Sequence, residues 1–177
     1  MLNDRRNIVL IGFMGCGKTT IGQLLAARLN YAFVDTDVLV ARHAAMDIPL
    51  IFQKHGERFF REIEAQMVKH VCDMTKTVVA TGGGVVLKSE NMDALMTNGF
   101  VVYLKASADI IYENTRNDES RPLLLVDNPL EKIRALLLER EPLYRSNCHV
   151  VINVAALTPA EIIEKILNAM AGGAISN

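Results

Sequence analysis

Ile8-Val9-Leu10-Ile11-Gly12-Phe13-Met14-Gly15-Cys16-Gly17-Lys18-Thr19 joins a short apolar run to the pattern G-x-x-x-x-G-K-[ST]. An apolar run that opens onto a glycine-rich loop is the strand-to-helix entrance where a phosphate-binding loop sits, so the stretch predicts a nucleoside triphosphate site on an α/β sheet. The glycines permit the tight turn that brings backbone N–H groups onto phosphate oxygens, Lys18 adds a positive point charge, and the Thr19 hydroxyl offers Mg2+ an oxygen ligand. Gly15, Cys16, Gly17, Lys18, Thr19 and Thr20 are therefore the expected nucleotide contacts. Behind the loop, Ile21, Leu24, Leu25 and Leu29 share one helical face, and Asn30 is a plausible stop.

Outward from this loop, the β-branched runs Ile8 to Ile11, Tyr31 to Asp35, Thr77 to Thr81, Phe100 to Leu104 and His149 to Asn153 alternate with helical periodicities. That alternation predicts a parallel sheet covered by helices on both faces, a doubly wound α/β domain. The second interval is longer than the others, with breaks expected at Pro49 and Gly56 before an amphipathic helix over Glu57 to Met74, and it reads as a substrate-binding insert. The polar stretch Asn114 to Asp127 reads either as a flap over a site or as a solvated loop. Thr158-Pro159-Ala160-Glu161 is a capping box that opens the last helix, whose tail, Ala171 to Ala174, is expected to fray. With 177 residues, 50% of them hydrophobic but only 6% aromatic, the chain suits one aliphatic core and one domain.

A net charge of −1 offers no cationic field for nucleic acid. No run approaches the roughly 18 apolar residues of a membrane span, and Met1 to Arg6 lacks the apolar core of a signal peptide, so the expectation is a cytoplasmic protein without nucleic-acid or membrane partners. Cys16, Cys72 and Cys148 are odd in number and widely spaced, which fits reduced fillers rather than disulfides or zinc ligands; His43, His55, His70 and His149 show no ligand spacing either.

Ligands of open α/β sheets bind beyond the carboxyl ends of the strands. Three polar clusters follow predicted strands: the phosphate loop, Asp35-Thr36-Asp37, and Gly82-Gly83-Gly84. In an extended segment Asp35 and Asp37 point to one side, which suits Asp35 to hold Mg2+ through water and Asp37 to take a substrate hydroxyl's proton. A helix cap is the plainer reading of the pair. The triple glycine is either a close-approach site or a flexible turn. Glu57 and Glu64 lie at i−4 and i+3 from Arg61, the spacing of an ordinary surface ion-pair ladder, while Arg121 and Arg140 are ambiguous from their neighbours alone.

Six motifs follow one another along the chain: the phosphate loop Gly12 to Thr19, Asp35-Thr36-Asp37, Gly56 to Glu64 (G-E-x-x-F-R-x-x-E), Gly82-Gly83-Gly84, Ser120-Arg121-Pro122-Leu123-Leu124, and Arg140-Glu141-Pro142-Leu143-Tyr144. Together they resemble the shikimate kinase family. The resemblance implies a three-layer P-loop kinase fold with a five-stranded parallel sheet, a substrate-binding region at about 36–64 and a lid at about 114–125. It implies an Mg2+-dependent transfer of the ATP γ-phosphoryl to the 3-hydroxyl of shikimate, by a monomer. Arg61 and Arg140 would clamp the carboxylate, with Glu64 orienting Arg61; Gly83 and Gly84 would offer backbone contacts, and Asp37 would bind hydroxyls and act as base. Lys18 and Arg121 would spread positive charge over the transferring group, and Thr19 and Asp35 would hold the metal. The chain departs from the family pattern at Asn114, where an arginine that stacks on adenine is common, at Asn153, often an aspartate, and at Arg145 to Cys148. A kinase for another hydroxy acid such as gluconate, or a non-catalytic nucleotide switch, are the competing functions.

Overall fold

The computed structural model describes residues 6–118 and 122–172. Ser120 and Arg121, Gly173 and Ala174 of the tail expected to fray, and Met1 to Arg5 thus lie outside the described residues. Five parallel strands, β1 (Asn7–Ile11), β2 (Ala32–Asp35), β3 (Thr77–Ala80), β4 (Gly99–Lys105) and β5 (Val150–Asn153), form one sheet in the order β2-β3-β1-β4-β5. Every residue of β1 and β3 is buried, which is why these strands read as unbroken apolar runs rather than as alternating patterns.

Alternate strand residues feed two cores. Ile8, Leu10, Val78, Val102 and Leu104 pack beneath α1 (Lys18–Leu29), α5 (Ala108–Thr115) and α7 (Pro159–Met170). Val9, Ile11, Val79, Val101 and Tyr103 face α3 (Ile48–Cys72) and α4 (Ser89–Asn98), and α6 (Pro129–Ser146) contributes to both cores. A smaller third cluster, Val40 with Ile51, Phe60 and Ile63, holds α2 (Thr36–Ala44) against α3, and is the helical insert expected from the long second interval.

Local signals account for the boundaries. Asn30 adopts the left-handed conformation (φ 53°) and ends α1. Thr158 and Glu161 form the reciprocal capping box of α7. Pro49 does not interrupt a helix: it sits in the first turn of α3, where its missing N–H costs nothing, behind the Asp47 cap. The interruption is at Gly56 (φ 78°, ψ 175°), a backbone conformation closed to side-chain-bearing residues, so the segment expected to begin at Glu57 continues a bent helix that started at Ile48. At the amino edge of the sheet the buried Asn7 side chain donates to Val71 O (3.1 Å) and Met74 O (2.9 Å) and accepts from Thr77 N (3.1 Å), tying β1 to the end of α3 and the start of β3. Among the described residues no helix is long and apolar enough to cross a membrane.

Candidate active site

Register brings the three polar clusters to one rim. Ala80 of β3 lies level with Leu10 of β1 and Asp35 of β2, so the chain leaves all three strands at nearly the same height. The rim is stitched by Thr81, whose N–H and hydroxyl both reach Leu10 O at 3.1 Å, and by Gly82 N–H, which donates to Thr36 Oγ1 at 3.1 Å.

The loop from Gly12 to Gly17 turns into α1 through Gly17 at φ 96°. That helix start carries no side-chain cap and no acidic residue in its first turn, leaving its free N–H groups and partial positive charge to an anion. Lys18 is 8% exposed and folds back over the loop, its Nζ donating to Gly12 O (2.7 Å) and Phe13 O (2.9 Å). Cys16 is buried and free, which fits the filler reading.

Asp35 does two things at once. Its Oδ1 accepts from Asp37 N (3.0 Å), capping α2, while its Oδ2 accepts from the Thr19 hydroxyl (3.0 Å). The helix cap and the phosphate-side contact are therefore both real. The extended backbone invoked to point Asp35 and Asp37 the same way is not: Thr36 opens α2, and Asp37 reaches the rim from that helix's first turn.

Glu57 and Glu64 do flank Arg61 as an ion-pair ladder (3.0 and 2.8 Å), but only Glu57 is on the surface. Glu64 is wholly buried, and burial pushes its carboxyl above the usual range despite the opposing pull of Arg61. For Arg61, burial works against the charge, but Glu64 and Glu57 outweigh it and keep the guanidinium protonated. Arg140, 4% exposed, comes from α6 and lies over the Phe13 ring at 5.8 Å; its Nε has no hydrogen-bond partner among the described residues.

The glycine turn runs close against these groups. A Cβ on Gly82 would stand 2.6 Å from Asp37 Oδ1 and 3.0 Å from Glu64 Oε1, and one on Gly84 would overlap the Arg61 guanidinium. Close approach to Asp37, Glu64 and Arg61 is thus one reason for the triple glycine.

Two adjoining clefts result. One of about 690 Å3 is lined by Gly15, Gly17, Lys18, Thr19, Thr20, Asp35 and Asn114. The other gathers Arg61, Glu64, Gly84 and Arg140 against an apolar wall that includes Ile48, Phe52, Phe60 and Leu123. Met14, Asp37, Ile48 and Gly83 line both. Of the residues given a catalytic or binding role from the sequence, Arg121 is the one that lies outside the described residues. Asn114 and Thr115, assigned to a lid, belong to the end of α5, where Asn114 Nδ2 donates to Gly15 O at 2.9 Å. Thr36 and Tyr144 had no assigned role: the first holds Gly82 and the second donates its hydroxyl to Gly83 O. The sequence hints at Tyr144 through its place at the end of the Arg140 to Tyr144 motif, four residues after Arg140 on the same helix face.

The shikimate kinase family model matches residues 14–171. Shikimate kinase from Thermodesulfovibrio yellowstonii is 46% identical over 92% of this chain and 93% of its own length, and that of Dechloromonas aromatica 45% identical over 94% and 91%. Among solved structures, shikimate kinase from Acinetobacter baumannii in complex with shikimate superposes with a TM-score of 0.92 at 38% identity, over 94% of this chain and 93% of that one. A gluconokinase from Sinorhizobium meliloti shares the fold alone, with a TM-score of 0.62 at 17% identity over 94% and 92%. Both the matched length and the level of identity place this chain in the shikimate kinase family.

Proposed function

We propose that this chain transfers the γ-phosphoryl group of ATP to the 3-hydroxyl of shikimate. One observation carries the reading: Asp37, with Met14 and Gly83, stands at the junction of a phosphate-binding cleft and a cleft holding two arginines. ATP takes the larger cleft, its phosphates on the Gly15 to Thr20 amides and Lys18. The shikimate carboxylate takes Arg61 and Arg140, with Gly83 and Gly84 supplying backbone contacts. The apolar wall suits the faces of a carbocycle better than an open-chain polyol, and this favours shikimate over gluconate.

In the reaction the shikimate hydroxyl oxygen bonds to the γ-phosphorus as the bond to the bridging oxygen of ADP breaks. Asp37 accepts a hydrogen bond from that hydroxyl and receives its proton. Lys18 and Arg121 hold positive charge against the phosphoryl oxygens, where such transfers gain most from positioning and electrostatics. Thr19 Oγ1 and Asp35 Oδ2, 3.0 Å apart at the end of the phosphate loop, are a hard-oxygen pair that fits Mg2+, which takes one or two carboxylates and keeps waters and phosphates for the rest. When bound there, the ion would supply positive charge that offsets the charge of the phosphates. On the same reading the enzyme is a cytoplasmic monomer of one domain, with a substrate-binding region at about 36–64 and a lid at about 114–125.

Coupled measurement of ADP release tests the assignment. Turnover with shikimate is expected to exceed that with gluconate by about a hundredfold or more, since unpaired polar groups in the wrong complex are costly. Equal turnover of the two acids would overturn it.

A further inference from the structure

The Gly82–Gly84 turn is pinned at two points. Gly82 N–H donates to Thr36 Oγ1 at 3.1 Å, and the Tyr144 hydroxyl donates to the Gly83 carbonyl. Tyr144 is completely buried and its ring stacks on Tyr103 of β4, with centroids 4.9 Å apart and planes at 22°, so the ring has no room to swing. It does not line the substrate cleft, whereas Gly83 and Gly84 do. The Gly83 carbonyl is thus drawn into the core. A trans peptide is planar with its C=O and N–H opposed, so the N–H of Gly84 must point the other way. No backbone carbonyl among the described residues uses that N–H.

Between two glycines such a peptide can rotate at little steric cost, because neither residue carries a Cβ to forbid the alternative φ and ψ. Rotation would replace a donor with an acceptor at the cleft surface, and a carbonyl there would repel a carboxylate or compete poorly for it. We infer that Tyr144 is a positioning residue for the acid substrate: its hydroxyl latches the Gly83–Gly84 peptide so that a donor, not an acceptor, faces the cleft. The same hydroxyl lies beside the Arg140 guanidinium, one turn earlier on α6. One helix face therefore orients both the charged and the neutral donor presented to the substrate.

The inference rests on shikimate being the substrate, and the test separates the two. Tyr144→Phe removes only the hydroxyl and keeps the stacked ring. The expected result is a KM for shikimate raised about tenfold, with the KM for ATP within twofold and the melting temperature nearly unchanged, the size of one lost hydrogen bond to the ligand. A shikimate KM within twofold of the parent, or a rise in both KM values together with a fall in melting temperature, would overturn the latch while leaving the activity intact. On the unaltered protein, the Gly84 amide proton should move downfield on addition of shikimate and stay in place on addition of ATP alone. A Gly84 resonance that does not respond to saturating shikimate also overturns it. Absence of any shikimate binding by the unaltered protein would instead remove the functional reading beneath it.

Discussion

Arg61 and Arg140 bear the same charge in opposite settings, and substitution should distinguish them. Arg140 is buried and forms no ion pair among the described residues, so its charge has most to gain from an incoming anion. Arg140→Ala should cost more than tenfold in shikimate affinity, the value of a charge-assisted hydrogen bond of about 1.5–3 kcal/mol, without lowering stability. Arg61 instead neutralises Glu64, which has no other route to solvent or counter-charge of comparable closeness. Arg61→Ala should lose affinity and also destabilise the fold by about 3 kcal/mol, because it strands a buried carboxylate. Adding Glu64→Gln to Arg61→Ala should restore the melting temperature and leave the affinity low. Calorimetric titration with shikimate and thermal unfolding of the three variants check this, and equal stability of Arg61→Ala and the parent would contradict it.

At the scale of elements, the end of α5 buttresses the phosphate loop. Asn114 Nδ2 holds Gly15 O at 2.9 Å, and the loop lies so close to the helix that a Cβ on Gly15 would come within 2.6 Å of Thr115 Cγ2. Where the family commonly has an arginine, this chain has a side chain short enough to reach the loop's backbone, while nearby Arg116 is engaged with Glu113 at 3.3 Å. The loop geometry that receives the phosphates therefore depends on a contact from the helix leading towards residues 116–118. Asn114→Ala removes one exposed hydrogen bond of about 1 kcal/mol, and should raise the KM for ATP about three- to fivefold while leaving that for shikimate unchanged. Steady-state kinetics with each substrate varied in turn would show this, and an effect confined to shikimate would rule out the buttress.

Across the whole molecule, what was legible in the sequence is what depends on local periodicity. Strands buried on both faces read as apolar runs, caps and breakers mark helix ends, and polar clusters after strands mark the rim. What was not legible joins residues far apart in the chain: Tyr144 to Gly83 over 61 positions, Asn114 to Gly15 over 99, Asn7 to Thr77 over 70. Periodicity records how buried a residue is, not which distant group it meets. His149 is a further case, marked in the sequence only by the absence of ligand spacing. Its Nδ1 accepts from Val101 N (2.9 Å) while its backbone N–H donates to Val101 O (2.8 Å), so the residue extends the β4–β5 ladder by one step and its ring stacks on Phe100. Accepting that bond requires a neutral ring. Partial burial, with the charge of Arg6, lowers the pKa from its ordinary 6.5 despite the favourable pull of the Val101 backbone. The unfolded chain therefore binds this proton more readily, so the contribution of His149 is fully present above pH 6.5 and is lost as pH falls below it. Glu64, raised from 4.5, has the opposite sign: its contribution is present below that value and is lost as pH rises, which partly masks the histidine in the parent protein. His149→Gln isolates the effect, since it removes the titrating ring and leaves Glu64 alone. Between about pH 7.5 and 5.5 the melting temperature of the parent should fall more than that of the variant, and parallel slopes would mean that the ladder contact does not select the neutral ring.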